Sequence, residues 1–291
     1  MFKKIGIFMQ MIKFEHTLFA LPFAFMGALL GSMVMSGSLP SWRDIGWIVI
    51  AMFGARSAAM GLNRLIDRVS DAKNPRTAGR AIPAGLLKAG EVIVFVAFSF
   101  FLLFWAAFKL NPLSAKLLPI AVFLLVFYSF TKRFTWACHL ILGLTIALAP
   151  LGGWVAVTGK VDWTAMVFYF TIMFWTAGFD VIYSCQDVEF DKKEGLHSIP
   201  VRFGVAGALK IAKVFHVLTG IGFISLLFMA HLSWWYIAGM LIAYAILFYE
   251  HHIVSPNDLS RLQTAFFTMN GVLSIVVFSF TLIDLVVQTN K

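Results

Sequence analysis

The sequence predicts an all-α, multi-pass membrane protein of about nine transmembrane helices, and three observations carry that prediction: composition, the length of the apolar runs and the distribution of basic residues. Sixty per cent of the 291 residues are apolar and 13% are charged, against about 45–50% and 25% in a soluble domain. Mean hydropathy is +0.86. In such a chain the net charge of +9 marks cytoplasmic loops and contacts with anionic lipid headgroups, so membrane lipids are expected partners and nucleic acid is not.

Crossing about 30 Å of hydrocarbon takes about 20 apolar residues. Nine stretches approach that length, at about 17–36, 45–66, 91–108, 117–131, 136–157, 163–186, 206–229, 234–250 and 264–286. Between them stand short polar or Pro/Gly breaks such as SGSLPSW, KLNPLSAK and TGKVDW, which leave no room for a soluble module. Residues 1–291 therefore read as a single transmembrane domain. The opening MFKKIGIFMQMIKFEH is amphipathic and has no small-residue cleavage site, so it is expected to lie along the interface rather than to be removed as a signal peptide. With the N-terminus in the cytoplasm, 17 of the 23 Lys and Arg fall on that side, five on the other, and Arg56 within the second span. This bias sets the N-terminus and the motif loops inside; in a bacterium the membrane is the inner one.

The second span ends ARSAAMGLNRLIDRVSDAKNPRTAGRAIPAG, which places Asn63, Asp67 and Asp71 at i, i+4 and i+8, one helical face. The sixth ends FDVIYSCQDVEFDKKEG, with Asp180, Asp187 and Asp191 at spacings of seven and four and Tyr183 near the same stripe. Asp67 and Asp187 are 120 residues apart, as are Asp71 and Asp191, so the two spans read as equivalent members of a four-helix repeat. Carboxylates stacked at i and i+4 repel, and at the edge of hydrocarbon they cost more still. A cation must compensate. Hard oxygen ligands suit Mg²⁺, which bridges one or two carboxylates to substrate phosphates, so two clusters facing one cavity suit a diphosphate. Arg64, Arg68, Lys73, Arg76, Arg80, Lys132, Arg133, Lys192 and Lys193 lie beside them and are candidates to neutralise that diphosphate.

Arg56 stands seven and eleven residues before Asn63 and Asp67 and so on their face. An intramembrane arginine marks a functional site unless it forms a structural ion pair; here it suits a substrate carboxylate or phosphate. Tyr128 and Tyr183 are placed to offer ring faces to a carbocation. His16, His139, His251 and His252 show no metal-ligand spacing and read as interfacial or packing residues, as do Cys138 and Cys185.

NxxxDxxxD on one helix and DxxxD on another, inside a bundle of this size, resembles the UbiA superfamily of polyprenyltransferases. The segments KNPRTAGR, LAPLGGW, YSCQDVEFDKKEGLHSIPVRFG and HHIVSPNDL are similar to its 4-hydroxybenzoate polyprenyltransferase branch and to the one linked to futalosine-route menaquinone synthesis. The resemblance implies transfer of a polyprenyl chain from its diphosphate to an aromatic acid acceptor, with Asn63, Asp67, Asp71, Asp187 and Asp191 holding Mg²⁺ and diphosphate. Asp180 matches an acidic position one stripe deeper, and its place beside the motif makes it the candidate base or acceptor-orienting group. One departure is local: Val69 and Ser70 stand where the family often has a second acid. Relatives acting on haem, chlorophyllide or homogentisate, and a cation transporter, are the competing readings; for transport the acids should be spread through the bilayer rather than gathered at one face.

Overall fold

The computed structural model describes residues 2–12 and 17–290; His16 lies outside them. The described residues form helices without a β-strand: α1 (Phe2–Met11), α2 (Thr17–Ser36), α3 (Trp42–Ile66), α4 (Arg68–Lys73), α5 (Ala89–Leu110), α6 (Pro112–Thr131), α7 (Cys138–Ile146), α8 (Leu148–Thr158), α9 (Trp163–Ser184), α10 (Val188–Lys193), α11 (Ile199–Met229), α12 (Trp234–His252) and α13 (Asn270–Thr289). The sequence breaks become caps. Ser41, Asn111, Asp162 and Ser198 each accept a backbone N–H in the first turn of α3, α6, α9 and α11, satisfying donors the helix itself cannot.

All nine apolar stretches are helical, and among the described residues seven helical spans are long and apolar enough to cross a bilayer. The count of about nine is corrected accordingly. α2 is apolar over its described side chains, residues 21–36, and α12 has amphipathic aromatics at its start and Glu250 near its end, which dilute its hydropathy. Gly204, at φ 70° and ψ 169°, breaks α11; only glycine adopts this conformation freely, and the long apolar run begins just beyond it.

The helices close a ring in which α2, α3, α5, α6, α7, α9, α11, α12 and α13 each touch the next and α13 returns to α2. Side chains such as Phe101, Phe108, Phe123, Phe228 and Phe248 point outward and are exposed, as a lipid-facing surface requires. Trp42, Trp163 and Trp234, 80% or more exposed, begin α3, α9 and α12, where Trp is favoured at a membrane interface. At the other end α1 packs Met11 and Ile12 against Leu65, Leu87, Val92 and Val96, so the amphipathic opening is anchored on the bundle.

In lipid there is little hydrophobic force between helices, and close packing carries association. One close approach is that of α2 and α8, where a Cβ added to Gly153 would sit 2.1 Å from the Ala24 carbonyl oxygen. Gly153→Val is therefore expected to force the helices apart and to cost about 1–3 kcal/mol, read as a lower Tm in detergent.

Candidate active site

The two acidic motifs are built alike. α3 ends at Ile66, Asp67 adopts φ −90° and ψ 3°, and the six-residue α4 follows. α9 ends at Ser184, a 3-10 turn follows, and Asp187 adopts φ −99° and ψ 3° before the six-residue α10. The same break occurs 120 residues apart. The principal partners also correspond, since α3 packs chiefly on α5 and α9 on α11. The acidic stripes are thus not straight helical faces as the spacing suggested: each bends at its middle aspartate, which turns the last one inward, leaving Asp71 and Asp191 buried.

The loop after α4 joins the motifs. Asn74 Oδ1 accepts the Arg76 N–H at 2.9 Å, and Thr77 Oγ1 donates to the Asp71 carbonyl at 3.0 Å. That turn carries Arg76 across to Asp187, to which Nε and an Nη donate at 2.9 and 2.8 Å, and returns Arg80 to Asp71 Oδ1 at 2.6 Å. Lys73 meets Glu194 at 2.7 Å and Lys132 meets Asp191 at 3.5 Å. Asn63 donates to Asp67 at 2.8 Å, and Arg133 lies 3.5 Å from the same carboxylate. Burial, then the like charge of Asp71, push the Asp67 carboxyl above its ordinary value against the pull of Arg133, Lys132 and Arg64. Asp71 Oδ2 is buried with no hydrogen-bond partner. Hard carboxylate oxygens, one of them unpartnered, fit Mg²⁺. Among the described residues no three acidic, His or Cys side chains converge on one ion, a set that an ion sharing its shell with phosphate and water does not need.

Beside the motifs lies a cavity of about 520 Å³ between α3, α5, α6, α7, α8 and α9. Among the described residues its lining is apolar except for Arg56, Ser114, Tyr128, Thr145 and Tyr169, with Arg56 the one charged side chain. Arg56 Nε is buried without a hydrogen-bond partner. Tyr128 donates to the Ala59 carbonyl at 3.4 Å.

The other expected residues divide. Buried Arg64 donates to Asn63 Oδ1 at 3.0 Å and stays at the site, whereas Arg68 is exposed and donates to the Leu65 carbonyl at 2.6 Å. Tyr183 stacks on Phe266, centroids 4.0 Å apart, and lies beneath the Arg76 guanidinium at 5.7 Å; its ring steadies Arg76 rather than lining the cavity. Asp180 pairs with His139, Oδ2 to Nδ1 2.6 Å, so the packing role read for His139 is corrected: it is a hydrogen-bonded member of the site. A lone histidine offers no signal until the fold brings α7 beside α9. His251 likewise meets His216 at 2.8 Å. Both cysteines are buried thiols.

Residues 21–272 match the UbiA prenyltransferase family. The chain is 29% identical over 248 residues to 4-hydroxybenzoate octaprenyltransferase of Vibrio campbellii, covering 84% of this chain and 86% of that one. It is 34% identical over 206 residues to the mitochondrial 4-hydroxybenzoate polyprenyltransferase of Arabidopsis thaliana, 70% of this chain and 50% of the other. An apo UbiA homolog from Aeropyrum pernix superposes with a TM-score of 0.84 at 28% identity over 93% of this chain and 98% of its own. A UbiA homolog from Archaeoglobus fulgidus bound to GPP and Mg²⁺ shares the fold, with a TM-score of 0.76 at 19% identity over 96% and 99%.

Proposed function

Because the chain belongs to the UbiA prenyltransferase family, we propose that it transfers a polyprenyl chain from polyprenyl diphosphate to an aromatic hydroxy-acid, 4-hydroxybenzoate or 1,4-dihydroxy-6-naphthoate, in ubiquinone or menaquinone biosynthesis. The observation that carries this reading is the pair of matching acid-bearing breaks, laced together by Arg76, beside an apolar cavity whose one charge is Arg56. The names of the similar 4-hydroxybenzoate prenyltransferases, and the GPP and Mg²⁺ bound by the homolog from A. fulgidus, support it.

Asn63, Asp67 and Asp71 from one motif and Asp187 and Asp191 from the other would hold Mg²⁺. When bound, the metal supplies electrostatic stabilisation of charge developing on the diphosphate. Arg64, Arg76, Arg80 and Lys132 ring these carboxylates and add donors for phosphate oxygens. The loops of residues 72–90 and 188–204, linked by Lys73 with Glu194, would close over the site as lids that exclude water. The apolar cavity takes isoprenoid chain or aromatic ring. Arg56, seven residues before Asn63, about 10 Å along the helix, anchors the acceptor carboxylate, with Tyr128 beside it. Asp180 receives the acceptor's proton. The chain works as one transmembrane unit of residues 1–291, with its motif loops on the cytoplasmic side; in a bacterium the membrane is the inner one.

The test is mass analysis of products from the purified protein given polyprenyl diphosphate, Mg²⁺ and each acid separately. A prenylated ring from one acid is expected; neither product, with no Mg²⁺-dependent diphosphate release, sinks the reading.

A further inference from the structure

His139 is the second residue of α7 and is fully buried, although the chain offers α7 no other ionisable side chain but Cys138. Its ring is fixed from both sides. Nδ1 faces Asp180 Oδ2 at 2.6 Å; since a carboxylate only accepts, Nδ1 donates. Nε2 faces Ser184 Oγ at 3.5 Å; with Nδ1 donating, the neutral ring accepts there, and the Ser184 hydroxyl shares its one proton between Nε2 and the Val181 carbonyl at 2.8 Å. Ser184 and Asp180 are one helical turn apart on α9, and His139 bridges them.

The consequence falls on Asp180. Its side chain keeps 21% of its surface accessible while His139 keeps none, so the histidine stands behind the carboxylate. Oδ2 is taken, and Oδ1 has no hydrogen bond among the described residues. The nearby charges are already engaged: Lys132 by Asp191 and Asp187 by Arg76.

Resting on the functional reading above, we propose that His139 is a positioning residue for prenyl transfer, clamping Asp180 so that Oδ1 is the oxygen offered to the acceptor. As the ring carbon bonds to the allylic carbon, the C–O bond to diphosphate breaks and both its electrons leave on diphosphate. The phenolic or ring proton passes to Asp180 Oδ1 and is later released to water. A carboxylate free to rotate offers that oxygen only part of the time, so losing His139 slows the chemical step and leaves donor binding alone.

A double-variant cycle tests this. Asp180→Asn and His139→Leu are each expected to lower kcat about 100-fold, the scale of a positioned acid–base group. The double variant should fall no further than the weaker single one, because groups that act as a unit are not additive. KM for prenyl diphosphate should stay within about twofold, since uniform binding is untouched. His139→Asn, which keeps an N–H where Nδ1 stood, should recover most of kcat. Wild-type kcat in His139→Leu, or losses that multiply in the double variant, overturn the proposal. A wild-type protein that prenylates no phenolic acid overturns the functional reading, and the assignment with it, before any variant is made.

Discussion

Asp187→Asn is expected to lower prenyl transfer by about 1,000-fold, the upper range for removing one preorganised electrostatic group from a reaction of this kind. The carboxylate has two tasks. It contributes hard oxygen to one acidic cluster, and it accepts both donors of Arg76, which is held in turn over the Tyr183 ring. Asparagine keeps the size but loses the charge and one acceptor, so the guanidinium loses its bidentate partner and the loop of residues 74–88 loses its tether to the turn before α10. Asp67→Asn should act through the other cluster and appear chiefly as a raised Mg²⁺ requirement. The measurement is kcat for product formation across a Mg²⁺ titration. Full activity of both variants at limiting Mg²⁺ would exclude the two-cluster scheme.

Arg56 makes the second large prediction, and its sign differs between stability and activity. A cation at the depth of the bilayer costs about 2.5–3.5 kcal/mol on insertion scales, and Arg56 Nε is buried with no hydrogen-bond partner. Arg56→Met keeps the bulk without the charge, so it is expected to raise Tm in detergent. The same change should raise KM for the aromatic acid about 100-fold, the low end for truncating one partner of a buried charge pair. KM for the prenyl diphosphate should hardly move, because the residues proposed to hold that ligand stand two turns away. A variant that loses stability and keeps its acceptor KM would make Arg56 a structural residue instead.

Much of this fold is legible because lipid is a strict solvent. An apolar run of the required length must become a helix, and all nine runs did. What length alone could not show is which of them span, since α12 is as long as a span but is diluted by aromatics and Glu250 at its ends. The acidic motifs were legible as spacing, 120 residues apart, but not as shape: the bends at Asp67 and Asp187 place Asp71 and Asp191 off the stripe that helical periodicity predicts. Pairing was least visible. Nine basic residues near the motifs looked alike in sequence, whereas Arg76 crosses 111 positions to Asp187 and Arg68 folds back on the end of α3. His139 was invisible for the same reason, because its partner lies 41 residues away.

The proposed reaction couples two products. Purified protein in detergent, given labelled polyprenyl diphosphate, the accepted aromatic acid and Mg²⁺, should release one inorganic diphosphate for each prenylated ring formed, and a chelator should stop both. Diphosphate released without a prenylated ring, or a prenylated ring formed in the presence of the chelator, would contradict it.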